Sequence, residues 1–474
     1  MAMAAIDAGA PIDELILWAS AEQGRHFVRE SQAFGQLRAG EGPRSQAVLP
    51  DGWVEAGGFT LSADTVAELK KLKPLQDPPS SLRRLLLLDR DGIETGSGLR
   101  KRLEGVLDVS TGTGTGWEGA VSDSELSVLP DAPVEAAIAW LGDGDHAKVA
   151  PANPPAATVP ASEDFLAEVD GQVIREMPFA IERPTGSGFF IVSEPAAADR
   201  LVSDLCVVYL NAGGIRHIGP NRNWVENARQ WAARGVRSIR IDLDGIGEAD
   251  GERLHQNGDA EFYLHVYEQS LTAVMDVAAE KELGRRFFCV GLCSGAYWAL
   301  RLLDEDPRVR GGVLLNTRAI VWNAGLSAQH DLRSWVWQSM SRSTSWRKLL
   351  RFEVDLALKA RIVTRAISWR LRRAFTRLRS RFDGRSVEGS RQHEVEALFD
   401  RLRDSEKRVA MSFCANEPVL ADLREDKILE RLPSRWPDIV VGDLPGDGHA
   451  LSSIQGQVAG NTLIDAEIEL ARES

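Results

Sequence analysis

Of the four cysteines in this chain of 474 residues, Cys293 stands in Gly291-Leu-Cys293-Ser294-Gly295. A thiol becomes a strong nucleophile once deprotonated, and it then needs a general base within hydrogen-bond reach. With 4 cysteines and 42 glycines in the chain, glycine at both −2 and +2 of a cysteine is expected by chance about 0.03 times. The spacing fits a nucleophile elbow, a sharp turn that strains its central residue and leaves no room for side chains two residues to either side. Ser294 competes for the nucleophile's role, but it occupies the slot whose backbone N–H faces a developing oxyanion. No serine in the chain has glycine at both −2 and +2. The bland alternative for Cys293 is a small buried hydrophobe.

A base for this nucleophile is expected on a loop late in the chain. His449, in Leu444-Pro-Gly-Asp-Gly-His449-Ala-Leu, is the one histidine of eight between the last strand candidate and the terminal helix. His217, His255, His265, His330 and His393 read as surface or lid. The orienting carboxylate should follow the strand 408–414, whose sequence continues Ala415-Asn-Glu417-Pro418; Glu417 is the first choice, with Asp447 and Asp422 left open. A further oxyanion donor is expected from the backbone of Ala212 or Gly213 in the turn Leu210-Asn-Ala-Gly-Gly-Ile215, acting with Ser294. The four cysteines form no C-x-x-C pair and none sits beside histidine at zinc-site spacing, so neither metal nor cofactor is expected.

The elements that must position these groups alternate short apolar strands with amphipathic helices. Strands are predicted over 173–181, 188–192, 205–210, 238–242, 287–291, 312–316, 408–414 and 438–442. Between them, Trp224, Ala228, Trp231 and Ala232, and then Leu271, Val274, Met275 and Ala278, form helical stripes. This is an α/β class pattern: a mostly parallel eight-stranded sheet covered on both faces. The Pro/Ala-rich stretch 146–164 reads as a linker between a smaller segment, 1–145, and a larger domain, 165–474. About 90 residues separate the sixth and seventh strands, and a lid is expected at 323–405. Within it, 342–381 carries thirteen Lys/Arg against two acidic residues, interleaved with Trp346, Phe352, Trp369 and Phe375. That basic cap is either solvated surface or a seat for an anionic partner, such as carrier-bound phosphopantetheine or a membrane surface; sequence does not choose.

A net charge of −13 argues against nucleic acid or an anionic membrane coating the whole surface. Residues 1–17 lack the features of a secretory signal, and no apolar run reaches the roughly 18 residues of a membrane span. A cytoplasmic protein with reduced thiols, without a transmembrane segment and not a nucleic-acid binder, is expected.

Together these pieces resemble the α/β-hydrolase superfamily, and Gly291-Leu-Cys-Ser-Gly-Ala-Tyr297 looks like a serine-aminopeptidase-like bacterial branch with cysteine in the serine position. Asn211-Ala-Gly-Gly-Ile-Arg216 and Asp242-Leu-Asp-Gly-Ile-Gly-Glu248 look similar to that branch, although Glu417 stands where many members have aspartate. The N-terminal 1–145 resembles the later half of a second α/β hydrolase, through 15–29, Leu85-Leu-Leu-Leu-Asp-Arg-Asp91, 106–109 and 136–141. It has no elbow, and Ser110-Thr-Gly-Thr-Gly-Thr-Gly-Trp117 stands where a histidine would fall, so this half is expected to be catalytically dead. Its Gly-Thr repeat lacks the lysine and helix of a phosphate loop and reads as a flexible loop.

The chemistry these residues suit is attack on an ester, thioester or lactone of a small-molecule acyl substrate, free or carrier-bound, through a Cys293-His449-Glu417 triad. An acyltransferase or cyclising thioesterase is the runner-up, because a thiolate is also a good leaving group. A non-catalytic scaffold is the alternative from another class, with a protein partner or a second copy engaged through the N-terminal half.

Overall fold

The computed structural model describes residues 2–39, 49–121, 129–144, 164–183, 186–252, 262–263, 265–322, 391–415, 417–445 and 448–473. Two compact units divide the chain: Met1–Gly40 with Gln46–Val159, and Pro160–Ser474 with Glu41–Ser45. Among the described residues no helix is long and apolar enough to cross a membrane.

The first unit runs α1 (Ala2–Asp7), β1 (Glu14–Trp18), α2 (Gly24–Ala39), β2 (Val54–Ala56), β3 (Phe59–Leu61), α3 (Ala63–Lys71), β4 (Arg84–Leu88), α4 (Ser97–Leu103), β5 (Asp108–Gly112), α5 (Trp117–Ala120) and α6 (Asp131–Gly142). Its sheet has the order β1-β4-β5, all parallel, while β2 and β3 form a separate antiparallel hairpin. The central strand β4 is apolar at every position after Arg84 because both of its faces are covered. Leu85 and Leu87 pack with Met3, Ile6, Leu99 and Leu103, and Leu86 and Leu88 with Trp140. That division is the two-residue period of a strand.

The second unit contains β6 (Phe165–Val169), β7 (Gln172–Arg183), β8 (Gly186–Pro195), β9 (Leu205–Tyr209), α7 (Asn223–Ala233), β10 (Arg237–Asp242), α8 (His265–Glu280), β11 (Arg286–Leu292), α9 (Ser294–Glu305) and β12 (Val309–Leu315). After these come α10 (Arg391–Asp404), β13 (Arg408–Phe413), α11 (Pro418–Glu425), α12 (Ile428–Arg435), β14 (Ile439–Asp443) and α13 (Ile454–Glu473). One sheet joins the strands in the order β14-β13-β12-β11-β9-β10-β8-β7-β6. Strands β14 to β10 are mutually parallel, and β8, β7 and β6 continue the sheet antiparallel.

Alternate residues of β9 and β11 enter two different cores. Cys206, Val208, Phe287 and Cys289 face one side with the α8 stripe Leu271, Val274, Met275 and Ala278. Val207, Tyr209, Phe288 and Val290 face the other, with Trp224, Ala228 and Trp231 of α7. The sheet therefore has nine strands where sequence periodicity predicted eight. The added strand, β6, is a hairpin partner at the edge, with Phe165 and Leu166 exposed, so it carries no burial pattern to announce it. Most of the expected lid, 323–390, lies outside the described residues. Its last part, expected to 405, is instead the crossover helix α10, whose Leu398, Phe399 and Leu402 are buried in the core.

Candidate active site

Strand β11 passes into helix α9 through Cys293, whose backbone has φ 59° and ψ −119°. Such a conformation costs a non-glycine residue about 1–3 kcal/mol and persists only where the surroundings impose it. The two flanking glycines are part of what imposes it. A Cβ at Gly291 would stand 2.2 Å from the Gly295 carbonyl oxygen, and one at Gly295 would stand 2.4 Å from the Asn211 carbonyl oxygen. Strand, helix and the turn after β9 can approach this closely only without those side chains. The Cys293 N–H donates to Leu315 O at 3.0 Å, which ties the apex to the end of β12.

Among the four thiols, Cys293 alone is partly exposed. Burial pushes Cys206 up to about 12 and Cys289 higher still, so neither ionises near neutrality. Ser294 is buried, and its Oγ accepts the Gly213 N–H at 3.0 Å. The serine hydroxyl thus binds the elbow to the facing turn. The Gly213 N–H, expected to point at an oxyanion, is committed to Ser294 Oγ instead, while Ala212 closes a small bridge with Ile215. The Ser294 N–H opens α9, where a helix leaves its first amides without intrahelical acceptors.

Glu417 lies just beyond β13, in extended conformation before Pro418 at the first turn of α11. Its Oε1 is 2.6 Å from Nδ1 of His449, which sits on the loop after β14. Glu417 is almost wholly buried. Burial disfavours the charged imidazole, but Cys293 and then Glu417 outweigh it through charge and hydrogen bonding and raise the His449 pKa well above the usual histidine value. Of the other two candidate acids, Asp422 pairs with Arg391, and Asp447 lies outside the described residues. Cys293, Glu417 and His449 follow β11, β13 and β14, parallel strands of one sheet with β12 between the first two.

A second polar cluster was not anticipated. His217, read from sequence as surface or lid, is buried, with Nδ1 2.7 Å from Asp242 Oδ2 and its own N–H 2.6 Å from Asp242 Oδ1. Asp242 also accepts from Asn211 Nδ2 at 2.9 Å and from the Glu248 N–H at 3.0 Å. Asn211 in turn accepts the Leu243 N–H at 2.8 Å. These bonds fix the turn that meets Gly295. The only sequence signal for them was the resemblance of Asn211–Arg216 and Asp242–Glu248 to one family branch. His393 is exposed on α10, His265 begins α8, and His255 and His330 lie outside the described residues.

Strand order and the sharp glycine-flanked turn from β11 into α9 decide the architecture. The second unit has the α/β-hydrolase fold. No protein-family model and no curated protein matches the chain. Among solved structures it is similar to a carboxylesterase of the thaumarchaeon Nitrososphaera gargenis, at 13% identity and TM-score 0.37, over 62% of this chain and 100% of that one. It is also similar to proline iminopeptidase of Mycobacterium smegmatis, at 13% identity and TM-score 0.36, over 62% of this chain and 98% of that one. A Pyrococcus furiosus esterase aligns at 12% identity and TM-score 0.36, over 64% and 88%.

In the first unit, Asp89 and Asp91 follow β4 as Glu417 follows β13. They meet backbone and not a histidine: Asp89 Oδ1 accepts the Gly114 N–H at 2.8 Å, and Asp91 accepts the N–H groups of Gly116, Trp117 and Glu118 at 2.5, 3.2 and 2.9 Å. These bonds hold the Asp91 carboxyl below its ordinary pKa. Sequence suggested a flexible loop with no helix after it. The loop is pinned by two carboxylates and leads into the single turn of α5.

Proposed function

We propose that the second unit hydrolyses ester, thioester or lactone bonds through an acyl-cysteine intermediate. The observation that carries this reading is the buried Glu417–His449 pair directed at a cysteine held at an elbow apex. Cys293 attacks as the thiolate, its proton carried by His449, and forms a bond to the carbonyl carbon as the carbonyl electrons move to oxygen. The Ser294 N–H at the start of α9 stabilises that oxyanion. The Ser294 hydroxyl, already accepting from Gly213, has its own proton to donate beside it. Collapse expels the alkoxide or thiolate, which takes the proton from His449. Water then attacks the acyl-cysteine, His449 accepts its proton, and the acid leaves as the thiol is restored.

The first unit, in this reading, is a degenerate later half of a second α/β hydrolase. Three consecutive parallel strands, with carboxylates after the middle one reaching the loop after the last, match the arrangement of β12, β13 and β14. Backbone amides fill the place of the base, so this half has no proton to move.

Incubation with an activated acyl ester, followed by intact-mass spectrometry, tests the main proposal. An acyl adduct is expected on the parent chain, lost in Cys293→Ala and retained in Ser294→Ala. An adduct that survives Cys293→Ala and vanishes in Ser294→Ala sinks it. Transfer of the acyl group to an added amine or alcohol faster than to water would instead favour an acyltransferase.

A further inference from the structure

Asn316, the residue after β12, was singled out by nothing in the sequence. It is fully buried and has φ 44°, in the left-handed region that asparagine tolerates better than most residues. Its side-chain Oδ1 accepts the Cys414 N–H at 2.8 Å, and its Nδ2 donates to the His449 carbonyl at 2.8 Å and meets Cys414 Sγ at 3.4 Å. Its own N–H donates to Ser412 O at 2.8 Å, while the preceding carbonyl, Leu315 O, holds the Cys293 N–H. An amide N–H on one side and a carbonyl on the other settle which way the asparagine amide points.

A buried asparagine often does no more than satisfy the end of a strand. Here every partner belongs to a segment bearing one member of the triad. Cys414 is three residues before Glu417, the His449 carbonyl belongs to the base itself, and Leu315 O holds the nucleophile. The left-handed turn at Asn316 aims one planar amide at two loops from the strand between them and the elbow. We propose that Asn316 is a positioning residue, whose side chain clamps the backbone of His449 to the acid-bearing strand and so sets the imidazole between Glu417 and Cys293. This rests on the Cys293-His449-Glu417 reading above.

An Asp in this place keeps the shape and the acceptor but turns an oxygen toward the His449 carbonyl. A Gly keeps the left-handed backbone without strain and removes both bonds. The test measures, on the full chain, the rate of Cys293 alkylation by iodoacetamide against pH, together with kcat and KM for an activated ester. In Asn316→Gly and Asn316→Asp, the alkylation profile is expected to move toward that of His449→Ala, with kcat at least tenfold lower and KM within twofold. A purely structural role would lower the melting temperature and leave the alkylation profile of the folded protein unchanged. The inference is overturned if His449→Ala shifts the profile and whichever Asn316 variant folds does not. If His449→Ala itself changes nothing, the triad reading falls first and this one with it.

Discussion

His449 joins the chemistry of the site to the stability of the fold. Its pKa is raised above the ordinary 6.5 in the folded chain, where Cys293 and Glu417 overcome the cost of burial. A group with a raised folded pKa binds its proton more tightly when folded, so its contribution is complete below the unfolded value and disappears as pH climbs through the folded one. The melting-temperature gap between the parent and His449→Gln should therefore be widest below the ordinary histidine value and narrow as pH rises through the raised folded one. Scanning calorimetry across that range checks this, and a gap that widens with pH would contradict the charged pairing. At the same scale, the sequence put Glu417 first among three carboxylates but left the other two open. Glu417, Asp422 and Asp447 all lie near the right loops, and only the 2.6 Å contact with Nδ1 and the Asp422–Arg391 pair separate the first two.

At the scale of elements, the elbow works because two glycines let three backbones meet. Gly295→Ala places a methyl 2.4 Å from the Asn211 carbonyl, and Gly291→Ala places one 2.2 Å from the Gly295 carbonyl. Overpacking against backbone that cannot yield costs about 1–3 kcal/mol. Each variant should melt several degrees lower and lose most of its ester turnover, because α9 and the turn after β9 must separate. Parent-like melting and turnover in both would mean that the elbow is looser than its geometry. This element was legible in advance because glycine spacing is local information. Strand β6 was not, since an edge strand with exposed Phe165 and Leu166 lacks the burial that creates an apolar pattern.

For the whole molecule, the two units share a way of crossing from one strand end to the next, with different partners at the crossing. Glu417 meets an imidazole; Asp89 and Asp91 meet amides. If the first unit is catalytically dead, Asp89→Asn with Asp91→Asn should leave ester turnover by the full chain within about twofold of the parent, while loosening the loop at 114–118. Turnover assays beside tryptophan fluorescence from Trp18 and Trp117, which pack edge to face at 5.1 Å, separate the two effects. A large loss of turnover would give the first unit a part in the reaction.

The sequence by itself determined what depends on neighbours along the chain: the alternation of strand and helix, and the glycine-flanked cysteine at the turn between them. Periodicity and turn chemistry act over a few residues, so they can be read without coordinates. Only the tertiary structure decided what depends on residues far apart in the chain. It committed the Gly213 amide to Ser294, buried His217 against Asp242, and brought Asn316 to both Cys414 and His449, partners 98 and 133 residues away. Hydrogen bonds of that span leave no local pattern, because any short polar residue can make them once the sheet has set the strand ends side by side.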